Sequence, residues 1–318
     1  MSTDITLSII VVSWNVSRLL EACLNSIIQH VTLDASSFEV HVVDNNSSDG
    51  SAEMVARNFP NFYLIANTEN LGFGRANNQA FVRCRGRYVL LLNPDTELGR
   101  ESIPSMLRIM EQTPDSGIVG AKLINSDGSF QRASGGALPT LYNVAWHYLY
   151  LHQLFPEGWA PEPTFLTEDA HDTRDIGWVS GAAMLLRAEA IGEKIFNEDY
   201  FMYGEDLDLC DRMHRHGWRV LYTSNATVMH HLRQSLVKQT SSEMLATAVT
   251  GNRAYFRVRH GRTKTFLHDL ILSIGYTARW LSFAALAAIR HEPSNTKRRA
   301  TYGVYASASI KALCRLGG

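Results

Sequence analysis

Within the first 95 residues, four short aliphatic runs are each cut off by a polar, turn-forming cluster, and segments with helical spacing lie between them. Residues 7–12, 38–43, 62–66 and 88–92 have the length and apolar content of strands; the first and last are apolar almost throughout, as strands buried on both faces are. Residues 18–29, 52–58 and 75–83 repeat apolar positions at helical spacing. In the first of these, Leu19, Leu20, Cys23, Leu24 and Ile27 share one side. Strand alternating with helix predicts parallel βαβ units and an α/β sheet flanked by helices. Ligands on such sheets bind beyond the carboxyl ends of the strands, and the polar clusters fall at those ends.

Further along, residues 118–123 predict a strand followed by the turn NSDGS. Residues 139–163 are rich in Trp, Tyr, His and Pro without a period, the composition of a substrate loop. Residues 178–187 read as a strand and 205–216 as a helix closed by Gly217. Residues 218–223 and 226–230 read as two short strands. From residue 241 the chain becomes helical and basic. At 318 residues it exceeds the usual single domain, and the expected division is a catalytic domain over 1–240 and a basic helical extension over 241–318.

Charge supports that division. The whole chain has a net charge of −1, yet residues 251–318 hold 12 Lys and Arg against 2 Asp and Glu. Such asymmetry points the basic end at an anionic surface. Residues 266–289 are apolar but interrupted by Asp269 and Arg279, and the uncharged runs are too short to span a bilayer. An apolar helix between basic clusters predicts an interfacial anchor on an anionic membrane; a cap on the catalytic domain or a dimer contact fits the same residues. The N-terminus lacks the pattern of a signal peptide. Cys23, Cys84, Cys210 and Cys314 form no CxxC pair, so reduced thiols are expected. The expectation is a cytoplasmic chain, peripheral on the inner face of the plasma membrane. No nucleic-acid module is recognisable, and nothing in the sequence indicates an oligomeric state.

Five polar clusters carry candidate chemistry. Ser13 and Asn15 follow the first strand, and Asp44 follows the second in VVDNNSSDGS. An acid there can accept from a base imide or a ribose hydroxyl; the same residue types also make a plain turn. NLGFGRAN, from Asn70 to Asn77, brings Gly72 and Gly74 to a helix start, where close backbone approach and the helix N-terminus favour phosphate. With Asn77 in place of a third glycine it is not a dinucleotide fingerprint, and a simple strand-to-helix loop fits equally. In LLNPD, Pro94 holds Asn93 extended, so Asn93 and Asp95 can face one side as hard ligands for Mg²⁺ or Mn²⁺; an Asx-turn is the alternative. Glu205, Asp206, Asp208 and Asp211 open a helix. The helix dipole accounts for part of this, but two adjacent acids after an aromatic, Gly-containing approach suit a general base. Asp208 and Arg212 read as an ordinary i,i+4 pair. Finally, His230 and His231 end a strand on opposite faces, so at most one serves as a metal ligand.

In this order, IIVVSWN, VVDNNSSDGS, NTENLGFGRANN, LLLNPDTEL, WVSGAAMLLR, FMYGEDLDLCDRMHRHGW and ATVMHHLRQS resemble the family 2 glycosyltransferases, and within them the bacterial rhamnosyltransferase-like branch. The resemblance spans residues 9–235. It implies the GT-A nucleotide-diphospho-sugar transferase fold, with Asp44 and Ser13 facing the nucleoside. It makes Asp95 the last acid of the family's DxD metal motif, with Asn93 in the first position. It makes Asp206 the catalytic base of the ED motif, preceded by Glu205. His230 stands where the family's HxGGxS pattern places a metal-side histidine; Leu232 and Arg233 replace the two glycines, and Arg233 can hold a phosphate.

The implied activity is single-displacement, inverting transfer of a sugar from a nucleotide-diphospho-sugar, assisted by Mn²⁺ or Mg²⁺. The first donor expectation is dTDP-L-rhamnose, with UDP-hexoses open. A glycan or lipid-linked saccharide is the expected acceptor, in cell-surface polysaccharide assembly. Two other classes were weighed. A nucleotidyltransferase would open with a Gly-rich basic loop, where this chain has SWNVSRLL. A nucleotide-sugar-binding protein without turnover would have no use for Asp95, Glu205 and Asp206.

Overall fold

The computed structural model describes residues 5–167, 171–231, 241–290 and 292–314. The chain forms two compact units, one of residues 1–137 and 165–236, the other of 138–164 and 237–318. In chain order the elements are β1 (Leu7–Ser13), α1 (Ser17–His30), β2 (Phe38–Asp44), α2 (Ser51–Asn58), β3 (Tyr63–Ala66), α3 (Phe73–Phe81), β4 (Tyr88–Leu92), β5 (Thr96–Leu98), α4 (Ser102–Gln112), β6 (Ser116–Ile124), β7 (Gly135–Gly136), α5 (Leu141–Tyr148), β8 (Thr173–Asp175), β9 (Trp178–Val179), β10 (Ala183–Arg187), α6 (Ala188–Ile191), α7 (Glu205–Arg215), β11 (Arg219–His230), α8 (Ser241–Arg290) and α9 (Pro293–Cys314).

The first unit is built on one sheet with the order β3-β2-β1-β4-β10-β6-β11-β5, and β8 pairs with β11. The strands from β3 to β4 are parallel, as the βαβ alternation requires. β1 and β4 are buried along their whole length. β10 then enters antiparallel between β4 and β6, so the second half of the sheet is mixed. The single strand expected over 178–187 breaks into β9 and β10, because Ala182 turns its carbonyl to Asn93 N (2.9 Å) and Ser180 N bonds Ser134 O (3.1 Å). Conversely, the two strands expected over 218–230 form one strand, β11. Its register against β6 shifts between Thr223 and Thr227, where the sequence suggests a gap.

Arg187, at the end of β10, is buried and spends its guanidinium on the carbonyls of Met110 (2.6 Å), Thr113 (3.2 Å) and Ser116 (2.9 Å). It thereby satisfies acceptors at the C-terminal end of α4, which no intrahelical N–H reaches.

The second unit takes in residues 138–164, which the sequence boundary at 240 leaves with the catalytic domain. That segment, expected as a substrate loop, contains α5 and an aromatic cluster of Tyr142, Trp146, Phe155 and Trp159. α5 packs on α8, and α8 packs on α9. α8 bends at Gly261, whose φ is 75°. Both charges that interrupt its apolar stretch are buried and partnered. Asp269 accepts from Arg253 Nε (2.8 Å), and Arg279 donates to the carbonyls of His147 (2.9 Å) and Tyr148 (2.7 Å) at the end of α5. The segment Asn252–Arg290 is long and apolar enough to cross a membrane by length and composition alone, and 28% of its most apolar window is buried in the protein. The sequence reading, which treated both charges as interruptions, did not expect this.

Gly86 marks the tightest point of the sheet's parallel half. A Cβ there would sit against the main chain of Leu7, Ser8 and Tyr88, where β1 and β4 begin to pair at Leu7 and Tyr88. Main chain in a ladder cannot shift without breaking it. Gly86→Ala is expected to destabilise the protein by about 2–3 kcal/mol, read as a lower urea midpoint; an unchanged midpoint would refute this account of the β1–β4 contact.

Candidate active site

The carboxyl ends of β1 and β2 lie side by side, with Ser13 and Asp44 paired in register. Both are buried. Asp44 Oδ2 accepts from Ser47 N (2.9 Å), whereas Ser13 Oγ and Asp44 Oδ1 have no hydrogen-bond partner among the described residues. A buried polar atom left unmet costs about 1–3 kcal/mol, so the pair is poised for polar groups of a ligand.

The loops around this pair are braced by their own side chains. Asn15, with φ of 57°, accepts from Ser48 N (2.7 Å), and its N–H reaches Ser47 Oγ (2.9 Å). Asn15 therefore ties the loop after β1 to the loop after β2. Asn70 Oδ1 accepts from Gly72 N (2.9 Å) and Asn45 Nδ2 (3.1 Å). Asn45, which sequence reasoning missed, is the hub: its Oδ1 also accepts from Asn67 Nδ2 (3.0 Å) and Leu71 N (3.3 Å). Its only signal was its place in DNNSS.

Gly72 and Asn77 also make contacts within the fold. Gly72 has φ of 81°, and a Cβ there would lie 2.6 Å from Phe201 O. That close approach is to the chain leading into α7, and Phe201 O accepts from Phe73 N (3.1 Å) at the start of α3. Asn77 is buried and donates its amide to Phe73 O (2.9 Å). Arg233 lies outside the described residues.

The turn after β4 positions the next group. Asn93 N donates to Ala182 O, and Asn93 O accepts from Thr96 Oγ1 (2.6 Å), which leaves the Asn93 side chain half-buried at the turn. β5 then pairs antiparallel with the end of β11, Thr96 opposite His230, and His231 N donates to Asp95 O (2.8 Å). This brings His230 Nε2 to 3.2 Å from Asp95 Oδ1, both side chains buried. The other ring nitrogen, Nδ1, lies 3.0 Å from Gln131 Oε1. The His231 ring faces elsewhere, between Ser126 Oγ (2.6 Å) and Glu97 Oε1 (2.8 Å), so it is the His230 ring that meets the Asp95 carboxylate.

The donor set suits a divalent cation. Adjacent ligands on an octahedral ion with bonds of about 2.0–2.2 Å lie about 3 Å apart, close to the 3.2 Å between His230 Nε2 and Asp95 Oδ1. Burial pushes the nearby Cys23 thiol up to about 12, and its Sγ lies 3.5 Å from Asn93 O and 3.8 Å from Thr96 Oγ1.

The third group opens α7. Tyr203 (φ 67°) and Gly204 (φ 93°) both adopt the left-handed region, which turns the chain sharply and sets Glu205 and Asp206 on the first helical turn. A tyrosine in that region is strained, and such strain concentrates at functional sites. Glu205 is buried with Oε2 unpartnered; burial first, then the charge of Asp206, pushes it up to about 8. Burial also raises Asp206, although the N–H groups of Leu207 (2.9 Å) and Gly181 oppose the shift. Gly181, in the break between β9 and β10, lies with its Cβ position 3.9 Å from Asp206 Cβ. The Tyr203 hydroxyl is pushed up by burial and then by the charges of Glu205, Asp95 and Asp206. The break between β9 and β10 thus touches both groups, through Ala182 O on Asn93 N (2.9 Å) and through Gly181 beside Asp206. Asp208 accepts from Tyr200 Oη (3.2 Å) and Asp211 pairs with Arg215 (3.1 Å), which are structural roles.

The family model described as glycosyl transferase family 2 matches residues 8–193. An N-acetylglucosaminyl-diphospho-decaprenol L-rhamnosyltransferase of Mycobacterium tuberculosis is 31% identical over 221 residues, 65% of this chain and 71% of the relative. An O-antigen biosynthesis protein of Myxococcus xanthus is 30% identical over 61% of this chain, but over 15% of its own length. Among solved structures, a mannosyltransferase of Pyrobaculum calidifontis in complex with GDP-Man and Mn²⁺ aligns with a TM-score of 0.60 at 16% identity, covering 96% of this chain and 86% of that one. GalNAc-T7 with UDP, GalNAc and Mn²⁺ aligns with a TM-score of 0.57 at 13% identity, over 81% and 48%. The two structures share the fold; the family model and the mycobacterial relative carry the assignment. With its mixed sheet, its polar strand ends and these matches, the chain belongs to glycosyl transferase family 2, in the rhamnosyltransferase-like branch of the GT-A fold.

Proposed function

We propose that this glycosyltransferase is an inverting, divalent-metal-dependent hexosyltransferase, with Asp206 as its base and dTDP-L-rhamnose as its donor. The observation that carries the reading is the break between β9 and β10: Ala182 O accepts from Asn93 N (2.9 Å) beside Asp95, and the Cβ position of its neighbour Gly181 lies 3.9 Å from Asp206 Cβ. The donor assignment rests on the mycobacterial relative, named as an L-rhamnosyltransferase.

In this reading Ser13 Oγ and Asp44 Oδ1 take the nucleoside, and Asn15 and Asn70 keep the loops around it rigid. Arg233, beyond the described residues, retains the phosphate role that the sequence suggests. Asp95 and His230 hold the cation, with Asn93 at the rim of the same turn. A bound divalent ion would neutralise charge on the departing diphosphate; imidazole beside carboxylate favours Mn²⁺ over Mg²⁺. The acceptor oxygen attacks the anomeric carbon as its proton passes to the Asp206 carboxylate. The bond from that carbon to the diphosphate oxygen breaks, and its electron pair leaves with the nucleoside diphosphate. Burial and the charge of Asp206 raise Glu205, and burial raises Asp206 as well; in this reading Asp206 is the member that takes the proton. No carboxylate is needed as a nucleophile, so configuration inverts.

The acceptor in this reading is a lipid-linked saccharide, as the relative's name states for that protein, and the helical unit rests on an anionic membrane. Ile274 and Leu281 on α8 are 52% and 56% exposed, and basic residues flank the apolar stretch at Arg257, Arg259, Arg262, Lys297, Arg298 and Arg299. Phe283, by contrast, stacks on Tyr302 and belongs to the unit's interior contacts.

Asp206→Asn is expected to lower the transfer rate by about 10²–10⁴ while nucleoside diphosphate affinity by calorimetry stays within a few fold. Because burial raises Asp206, and a base must be deprotonated, activity should fall with decreasing pH through a midpoint above the ordinary Asp range. Retention of most activity would move the base elsewhere. Asp95→Ala should weaken Mn²⁺-dependent nucleoside diphosphate binding and the rate together; full activity in excess EDTA would overturn the metal role. For the membrane, a Ile274→Ser, Leu281→Ser double variant should co-sediment less with anionic vesicles even at low salt, and added salt should weaken the wild type by screening its arginines. Equal sedimentation of the two proteins would leave the helical unit as a structural cap.

A further inference from the structure

Gln131 sits in the irregular segment after β6, in a stretch whose sequence shows no pattern. Its backbone is fixed from both ends: Gln131 N donates to Leu123 O (2.9 Å), and Gln131 O accepts from Ser134 Oγ (2.7 Å) and Ser134 N (3.1 Å). Its side chain is buried. The amide nitrogen donates to His230 O (2.7 Å) and to Asn125 Oδ1 (2.9 Å). Both partners are oxygens that only accept, so this end of the amide must be the NH₂ group. The opposite end, Oε1, is then the atom 3.0 Å from His230 Nδ1. An amide oxygen only accepts, so Nδ1 carries a hydrogen.

In the uncharged imidazole one nitrogen donates and the other carries a lone pair. In the neutral imidazole that binding a metal requires, Nδ1–H held by Gln131 leaves the lone pair on Nε2, which lies 3.2 Å from Asp95 Oδ1. In that form Nε2 and Oδ1 are two acceptors at about the spacing of adjacent ligands on one cation. The same glutamine grips the residue twice, at the ring and at the backbone carbonyl, and so fixes both the tautomer and the ring's position.

We propose that Gln131 is the positioning residue of the metal site, selecting the His230 tautomer that presents Nε2 to a divalent cation shared with Asp95; this rests on the metal role proposed above. Groups that hold the far nitrogen of a ligating histidine typically contribute 10–100-fold in metal affinity.

The test is Mn²⁺ titration of the full chain with nucleoside diphosphate present, followed by the electron paramagnetic resonance signal of free Mn²⁺. Wild type, Gln131→Met, Gln131→Glu and His230→Ala are compared, with circular dichroism melting as the fold control. Gln131→Met keeps the length and removes every hydrogen bond; its Mn²⁺ dissociation constant should rise about 10–100-fold while the fold persists. Gln131→Glu restores the acceptor for Nδ1–H and should recover affinity towards wild type. Wild-type Mn²⁺ binding by Gln131→Met, with binding lost in His230→Ala, would overturn the positioning role alone. Wild-type binding by both Gln131→Met and His230→Ala would instead overturn the metal reading on which it rests. Should Gln131→Met fail to fold, Gln131→Glu decides: tight binding supports the proposal, and loss as deep as in His230→Ala overturns it.

Discussion

Three cross-strand pairs hold the metal-side half of the site together. β5 sets Thr96, Glu97 and Leu98 against His230, Met229 and Val228. Because β5 begins one residue after Asp95 and β11 ends at His230, this short ladder sets the separation of the two side chains. Individual cross-strand pairs contribute only about 0.2–1 kcal/mol, so so short an edge needs support. It comes from the burial of Leu98 and Val228, and from Ser102, whose hydroxyl donates to Thr227 O (2.6 Å) and accepts from Gly99 N (2.8 Å). β11 is also registered against β6 along most of its length, and the segment after β6 supplies Gln131. The geometry at His230 thus comes from three chain segments locked by one ladder.

The rest of the site follows the opposite logic. Around the ends of β1 and β2, Asn15, Asn45, Asn70, Ser47 and Ser48 satisfy one another and the loop backbones. Beside that frame Ser13 Oγ and Asp44 Oδ1 are buried with no partner among the described residues, as is Glu205 Oε2 at the start of α7. Unmet groups of this kind are costly in a finished fold, and a rigid surround keeps them from relaxing onto nearby backbone. The frame is what holds them available to a ligand.

The helical unit solves a different problem. Asp269 and Arg279 lie in an apolar helix, where unpartnered charges would be prohibitive. Arg253 and the terminal carbonyls of α5 supply their partners. Outer apolar residues of α8 such as Ile274 and Leu281 stay exposed while the charges are spent inside.

Strand–helix alternation and the placing of Asp44, Asp95 and Asp206 at element ends were legible in the sequence, because both follow from local periodicity and from the polarity of turns. The α/β class and the family could be read at that level. Other features were not legible. At Gly72 the backbone it must admit is that of Phe201, 129 residues later. At Asn77 the amide bonds within α3. Gln131 carried no signal at all, since a lone glutamine in an irregular segment becomes meaningful only when a histidine 99 residues away meets it. The grouping of residues 138–164 with α8 is likewise a long-range contact. What the sequence determined by itself was the order of elements and the chemical types at their ends. Only the tertiary structure decided which of those groups face one another, because register, long-range hydrogen bonds and the partners of buried charges are set by packing between distant segments.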